Sequence, residues 1–276
     1  MWTISRPARV ESRNMAEPNI RFDDGAEYER MMGTWSRLAG EVFLDWLAPP
    51  AGLRWIDIGC GNGAFTELLV ARCAPAEVHG VDPSEGQLAF ARNRPGAPIA
   101  TYARGDAMAL PCEAGRFDAA VMALVIFFVP DPAKGVAEMA RVLKPGGWAS
   151  TYVWDILGGG FPLEPIQAEI RALGYKPLLP PSAPASRMEA LRALWRDAGF
   201  LDIETREITV TRSFADFEDF WTTSLLGSSM RPTLATMKPE DVALLKERVR
   251  ARMVADGAGR IAYAARANAI RGRKPG

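Results

Sequence analysis

Residues Asp57-Ile58-Gly59-Cys60-Gly61-Asn62-Gly63 follow the short apolar run Leu53-Arg54-Trp55-Ile56. An apolar run that ends in an acid and three alternating glycines reads as a buried strand delivering its last turn to a nucleotide-like ligand. Glycine has no Cβ, so the backbone there can turn tightly and approach a ligand closely. Ala64 to Arg72 reads as a helix opening at the same place. By spacing alone the loop is ambiguous. Gly59, Gly61 and Ala64 also satisfy the G-x-G-x-x-A dinucleotide fingerprint, and a tight strand-to-helix turn without a ligand has the same look.

On either side of this loop, strand and helix patterns alternate. Strands are expected at Leu53–Ile58, Glu77–Asp82, Ile99–Arg104, Phe117–Ala123, Trp148–Trp154, Ile203–Arg212 and Ile261–Ile270. Helices are expected at Ala64–Cys73, Ser84–Arg94 and Ala133–Leu143, with one or two amphipathic helices over Glu27–Leu47. Such alternation predicts an α/β fold with a parallel sheet covered on both faces. After Trp154 the order breaks. A Gly158-Gly159-Gly160 run and the proline-rich stretch Pro177–Pro184 mark one excursion, holding a helix near Leu163–Leu173. A strong helix at Ser186–Ala198 follows, stopped by Gly199. A second excursion, Phe214–Asp256, carries Phe217, Phe220, Trp221, Leu225 and Leu226, then a charged helix from about Pro239.

The chain has 276 residues, 48% hydrophobic and 24% charged, with a formal net charge of zero. That is the make-up of a globular enzyme, and no global field favours nucleic acid. The basic tail Arg271-Gly272-Arg273-Lys274 reads as a solvated end. Cys60, Cys73 and Cys112 are too few and too scattered for a disulfide framework or a zinc site, which points to a reducing, cytoplasmic setting. Met1–Asn14 is broken by Arg6, Pro7, Arg9 and Glu11 and does not read as a secretory leader. The longest apolar run, Ala119–Pro130, is too short to span a bilayer, so no membrane role is expected.

Two further acids narrow the reading. Asp82 ends the second strand some twenty residues past the first glycine, as a ribose-binding acid does. Ser84 is the natural cap for the following helix, which leaves Asp82 free for a ligand. Gly105-Asp106-Ala107 ends the third strand, where an Asp can accept an adenine amino group or simply make a turn. Acids ending three successive strands would line one crevice at the carboxyl edge of the sheet. Leu143-Lys144-Pro145-Gly146-Gly147 reads as the turn that closes a helix.

Together, Asp57–Gly63, Val81-Asp82-Pro83-Ser84, Gly105-Asp106-Ala107, Phe117-Asp118 and Leu143–Gly147 resemble the ordered motif set of class I S-adenosylmethionine (SAM)-dependent methyltransferases. The closest branch is the methyltransferase type 11 group, with the ubiquinone/menaquinone-type small-molecule enzymes. The resemblance covers about Tyr28 to Arg273. It implies a Rossmann-like seven-stranded sheet of order 3-2-1-4-5-7-6, strand 7 antiparallel, with helices on both faces and a helical cap. Residues 1–20 read as a disordered arm, and the resemblance implies one SAM-binding domain over 21–272. Within that domain come an N-terminal lid at 27–47 and cap insertions at about 156–185 and 214–256.

Carried onto matching positions, the resemblance gives a cofactor site. Asp57, Gly59, Cys60 and Gly61 would serve the methionyl and ribose part. Asp82 would hold the ribose, Pro83 and Gln87 would pack on adenine, and Asp106 with Ala107 would read the adenine edge. Ala123 and Leu124 would border the sulfonium. Tyr28, Met32 and Trp35 resemble the lid helix of this branch, although aromatic spacing of that kind also builds ordinary core.

The sulfonium is a strong methyl donor, so positioning can suffice and no base is obligatory. Many relatives carry a histidine where Phe127 stands. The chain's one histidine, His79, lies in the body of the second strand and reads as structural. Asp155 is a weak candidate base at the tip of the fifth strand, with a turn residue as its plainer role. No metal is expected. An apolar acceptor pocket is expected from Met31, Phe127, Phe128, Trp154, Phe161, Trp221 and Leu225. The expected activity is methyl transfer from SAM to a hydrophobic or aromatic small molecule, leaving S-adenosylhomocysteine (SAH). The rivals are a SAM-binding module without catalysis and an NAD-dependent oxidoreductase, which would need a hydride site that is not apparent. A homodimer stays open as an assembly. The acceptor, the atom methylated and the pathway are not legible.

Overall fold

Strand β1 (Arg54–Ile58) and strand β4 (Phe117–Ala123) are buried along nearly their whole length, as strands with both faces covered are. They pair in parallel at the centre of the sheet, Trp55 against Ala119 and Asp57 against Val121. β2 (Glu77–Asp82) and β3 (Ala100–Arg104) extend the sheet on one side, both in parallel. β5 (Leu143–Trp154) continues it in parallel on the other side. β7 (Ile261–Arg273) then runs antiparallel between β5 and β6 (Leu201–Phe214). The result is a seven-stranded sheet of order 3-2-1-4-5-7-6, as expected from the motif set. The computed structural model of the chain describes residues 29–94, 97–226 and 230–276; the arm expected over 1–20 lies outside the described residues.

The crossovers follow local chemistry. Helix α1 (Thr34–Leu47) buries Trp35, Ala39, Phe43 and Leu44, a stripe at helical spacing. It is entered through a wider turn, Glu29–Gly33. Helix α2 (Ala64–Cys73) follows the glycine loop directly. Helix α3 (Glu85–Ala91) is capped as expected by Ser84, whose Oγ accepts from Gln87 N. Helix α4 (Pro132–Val142) is capped by Asp131 and has its proline in the first turn, where no N–H is missed.

One expectation is corrected. Leu143–Gly147 is not a free turn but the start of β5. Leu143 pairs with Phe117 and Trp148 with Ala119, so the intervening residues bulge from the ladder. Lys144 Nζ holds Asp118 Oδ1 at 2.5 Å beside that bulge.

The two excursions dock on each other. The first holds helix α5 (Glu164–Ala172), followed by helix α6 (Met188–Asp197). The second holds α7 (Phe217–Ser224), α8 (Arg231–Ala235) and α9 (Pro239–Arg252). Glu169 of α5 is buried and pairs with Arg252 of α9 at 2.5 Å, and Tyr175 donates to Asp241 at 2.7 Å. Among the described residues no helix is long and apolar enough to cross a membrane.

Candidate functional site

The carboxyl ends of β1, β2, β3 and β4 meet around the glycine loop. Gly59 has φ +73°, and a Cβ on it would lie 2.5 Å from Val125 Cγ1, so only glycine fits there. The loop crosses the tip of β2: Gly59 N and Cys60 N both donate to Val81 O, at 2.7 and 3.1 Å. Gly61 N donates to Asp82 Oδ2 at 2.9 Å, and Gly63 N donates to Cys60 O at 2.9 Å. Four N–H groups that could have cradled a diphosphate are therefore spent inside the protein. The loop has no such nest, which disfavours the dinucleotide reading on chemistry alone. Among the described residues no atom lies within 4 Å of where a Cβ on Gly61 would stand. A ligand approaching there meets Cα and carbonyl groups.

Asp82 is not free, contrary to expectation. Its two oxygens accept from Gly61 N and from Ser84 N, at 2.9 and 2.8 Å, so it staples the loop to the start of α3. Burial raises its pKa, and the two backbone bonds oppose that rise. A carboxylate has about four acceptor sites, so capacity for a ligand remains. Asp57 is fully buried beneath the loop. Thr66 Oγ1 donates to its Oδ2 at 2.6 Å, while Oδ1 has no partner. Burial pushes its pKa up to about 7. Asp57 thus holds α2 through Thr66.

Pro83, Arg104, Gly105, Asp106, Met108 and Pro130 line a cleft of about 570 Å³ next to Asp82. Asp106 makes the turn and still faces out: its Oδ1 accepts from Met108 N at 2.8 Å, and the residue is exposed. Gly105 is forced by close approach, because a Cβ would lie 2.7 Å from Pro111 and 2.8 Å from Val81. Gln87 is buried in the first turn of α3, near the same cleft. Ala123 and Leu124 end β4. Leu124 holds φ +62°, a conformation costing a leucine about 1–2 kcal/mol.

The segment that opens at Glu29 is tied to the glycine loop by one arginine. Arg94 Nε donates to Asn62 O at 2.6 Å, Nη1 to Glu67 Oε2 at 2.8 Å and Nη2 to Glu29 Oε2 at 2.8 Å. Asn62 Nδ2 also donates to Glu29, at 3.0 Å. Met32 and Trp35 are buried beside this latch. Tyr28 lies outside the described residues.

Beyond β4 and β5 the buried core is aromatic. Trp35 meets Trp154, Tyr263 and Phe214 at ring separations of 6.4, 6.1 and 6.4 Å. Phe220 closes on Phe214 at 5.2 Å. Trp154 is 1% exposed, and its Nε1 has no partner. Phe127 and Phe128 meet edge-on at 4.6 Å, with Ser182 N bonded to Phe127 O. Trp221 instead stacks on Phe217 within the cap, and Phe161 and Leu225 are half-buried against the core. Met31 is buried, and its carbonyl accepts from Arg212 Nη1 at 2.9 Å.

Asp155 is committed elsewhere. Its Oδ2 pairs with Arg266 at 2.5 Å and its Oδ1 accepts from Gly158 N at 3.0 Å, so it holds the glycine turn after β5. His79 Nδ1 lies 2.8 Å from Thr101 Oγ1 and its ring stacks on Phe117, away from the strand tips. Among the described residues no cluster could hold a metal ion.

Tyr263 and Arg212 escaped the sequence reading. They face each other across β6 and β7, on the side that also carries Trp154. A signal existed for Arg212. Along β6 the inward positions run Ile208, Val210, Arg212, Phe214, so an arginine interrupts an apolar alternation.

A family model described as a methyltransferase domain matches residues 56–151. The malonyl-[acyl-carrier protein] O-methyltransferase of Erwinia pyrifoliae is 31% identical over 215 residues, covering 78% of this chain and 76% of that protein. The ubiquinone biosynthesis O-methyltransferase of Thiobacillus denitrificans is 31% identical over 163 residues, 54% of this chain and 65% of its own length. The chain spans about half of other curated relatives, such as 45% of a malonyl-[acyl-carrier protein] O-methyltransferase from Methylococcus capsulatus. Among solved structures, Haemonchus contortus phosphoethanolamine N-methyltransferase 2 in complex with S-adenosyl-L-methionine is similar with a TM-score of 0.56 at 21% identity. That match covers 92% of this chain and 58% of that one. YcgJ from Bacillus subtilis matches at a TM-score of 0.56 and 18% identity, over 86% of this chain and 98% of its own. At such identities the structural likeness shows the fold.

Proposed function

The chain belongs to the SAM-dependent methyltransferases, and on that premise we propose that it transfers a methyl group to a hydrophobic or aromatic small-molecule acceptor by in-line displacement. One observation carries the cofactor half of this reading. A buried acid at the tip of β2 grips the glycine loop beneath open space, beside a cleft of about 570 Å³.

In this reading Asp82 accepts from both ribose hydroxyls with its remaining lone pairs. Gly59, Cys60 and Gly61 approach the methionyl and ribose part with carbonyl and Cα groups, since their N–H groups are spent. Asp57 acts through Thr66, keeping the loop and α2 in register. Pro83 and Gln87 pack on adenine, and Asp106 with Ala107 reads its edge. Ala123 and the strained Leu124 border the sulfur, and Met32 and Trp35 close from the lid.

Bound SAM supplies an activated methyl group on a sulfonium. The protein's task is then alignment, which can be worth roughly 7–11 kcal/mol of the barrier. No side chain is assigned as a base. Asp155 is ion-paired with Arg266, and the Tyr263 hydroxyl, pushed up to about 12 by burial, is a poor proton acceptor at neutral pH. This suits an acceptor that is already nucleophilic. The aromatic walls at Trp35, Trp154, Phe127 and Phe128 support a flat or greasy acceptor rather than nucleic acid, and a cytoplasmic site of action fits the free cysteines.

Two measurements test the proposal. Calorimetry should detect binding of SAH and none of NADH. Labelled methyl from SAM should appear on a member of a panel of phenols, quinols, amines and carboxylic acids. Label found only on RNA or peptides would refute the acceptor class. SAH binding with no turnover on any acceptor would favour a non-catalytic module.

A further inference from the structure

Arg212 stands on the acceptor side of the fold with almost nothing to balance its charge. It occupies an inward position of β6 between Val210 and Phe214, both buried. Its guanidinium lies over the Phe214 ring, 4.7 Å from the centroid. Among the described residues one of its five N–H donors is used, on Met31 O. Among the described residues no carboxylate lies within ion-pairing distance of it. Asp219 is the acid whose charge reaches it, and that carboxylate accepts from Ala215 N and Thr223 Oγ1 rather than from Arg212. Burial accordingly depresses the Arg212 pKa. A half-buried cation without a counter-ion is costly unless something pairs with it.

The neighbours of Arg212 are also donors. Tyr263 is its direct cross-strand partner, so the two side chains rise from the same face. Among the described residues the Tyr263 hydroxyl has no hydrogen-bond partner. Trp154, on the same face and joined to Tyr263 through Trp35, carries a buried Nε1 with no acceptor. Glu164 is the one acid whose charge reaches Tyr263, and it is paired with Arg171. Among the described residues Glu164 thus has an ion-pair partner, while Arg212 has none.

We propose that the acceptor carries an oxyanion, a carboxylate or a phosphate, which Arg212 binds through its forked donors with the Tyr263 hydroxyl beside them. This inference rests on the methyltransferase reading and adds the charge class of the acceptor to it. Guanidinium is suited to the task because its planar fork matches two oxygens at once. The aromatic rings of Trp35, Trp154 and Phe214 then take the apolar part of the same molecule.

The test uses the full chain saturated with SAH, titrated calorimetrically with phenylacetate, phenyl phosphate and the neutral phenylacetamide. At least one anion should bind roughly tenfold or more tighter than the amide, and comparing the two anions separates carboxylate from phosphate. Arg212→Gln should bring that anion down to the affinity of the amide. Arg212→Lys should keep a weaker preference for it, because the charge remains while the fork is lost. SAH affinity and the thermal midpoint report whether each variant is folded. A role confined to tying down Met31 would not move the anion-to-amide ratio. Equal affinity for acid and amide in the wild type, no binding of either anion, or an unchanged ratio in both Arg212 variants overturns the inference. Failure of the wild type to bind SAH would instead overturn the methyltransferase proposal.

Discussion

Replacing Asp82 by alanine separates two jobs that one carboxylate performs. In the free protein Asp82 accepts from Gly61 N and Ser84 N at 2.9 and 2.8 Å, and the residue is 8% exposed. Hydrogen bonds to a charged group contribute about 1.5–3 kcal/mol each. Part of that is offset, because the charge is desolvated, as its raised pKa reports. Gly61 and Ser84 are only half-buried, so water can replace the lost acceptor. The stability loss should therefore be about 1–2 kcal/mol. The bound state loses more. Two ribose hydroxyls would face an alanine, and two charge-assisted bonds at the low end amount to about 3 kcal/mol, or about a hundredfold in the dissociation constant of SAH. Calorimetry with SAH gives the second number and urea unfolding the first. Asp82→Asn should fall between, since its amide oxygen can serve one N–H while its NH₂ opposes the other. If Asp82→Ala lowers stability yet binds SAH within threefold of wild type, the carboxylate is a loop staple alone and the site assignment fails.

Gly59→Ala combines a positive φ with a Cβ 2.5 Å from Val125; a cost of about 3 kcal/mol in stability and a loss of SAH binding are expected. Adding Val125→Ala should recover the steric share and leave the backbone share, so full recovery would show that φ does not matter. Arg94→Met removes three hydrogen bonds that tie the lid to the loop, but its carboxylate partners have side chains 42% and 34% exposed. Screening leaves a loss of about 2 kcal/mol, visible as faster amide exchange across residues 29–47; unchanged exchange there would mean the latch is ornamental. Asp57, held near 7 in the fold against 3.8 for an unperturbed carboxyl, binds a proton in the folded state that the unfolded chain has released. Stability should therefore fall by up to about 1.4 kcal/mol per pH unit between about pH 4 and 7 and level off above. Asp57→Asn should abolish that slope in urea titrations across pH 4–8, and parallel pH profiles for the two proteins would contradict it.

Most strand positions are legible because that information is local, whereas the sheet order comes only with the family resemblance. The bounds of β2 and β4 match the expectation to the residue: β4 is an apolar run bounded by turn signals, and β2, Glu77–Asp82, is marked by its closing acid before Pro83-Ser84. The Ser84 cap was legible for the same reason. Three things were not. Leu143–Gly147 reads as a helix stop from composition, yet pairing with Phe117 and with the chain end at Lys274 makes it a bulged strand start. Asp82 was read as free because its bond to Gly61 depends on how the loop folds back over β2. Tyr263 comes to lie opposite Arg212 only because β7 pairs with β6 in one register, and that register is a tertiary fact.

That contrast follows from how the two halves of the site are built. The cofactor half draws on the ends of adjacent parallel strands, each with its acid or glycine within a few residues of the strand tip. Its chemistry is therefore written as short motifs. The proposed acceptor half draws on Met31, Trp35, Trp154, Arg212, Phe214 and Tyr263, residues joined by a helix lying across the sheet and by one antiparallel strand. No short motif can encode such a set. What the sequence can encode is a violation: an arginine at a position where strand periodicity demands an apolar side chain. Such a violation persists in a folded chain only if something offsets the buried charge. Here no residue of the described fold supplies that offset as an ion pair, and an anionic acceptor is the proposed source of it.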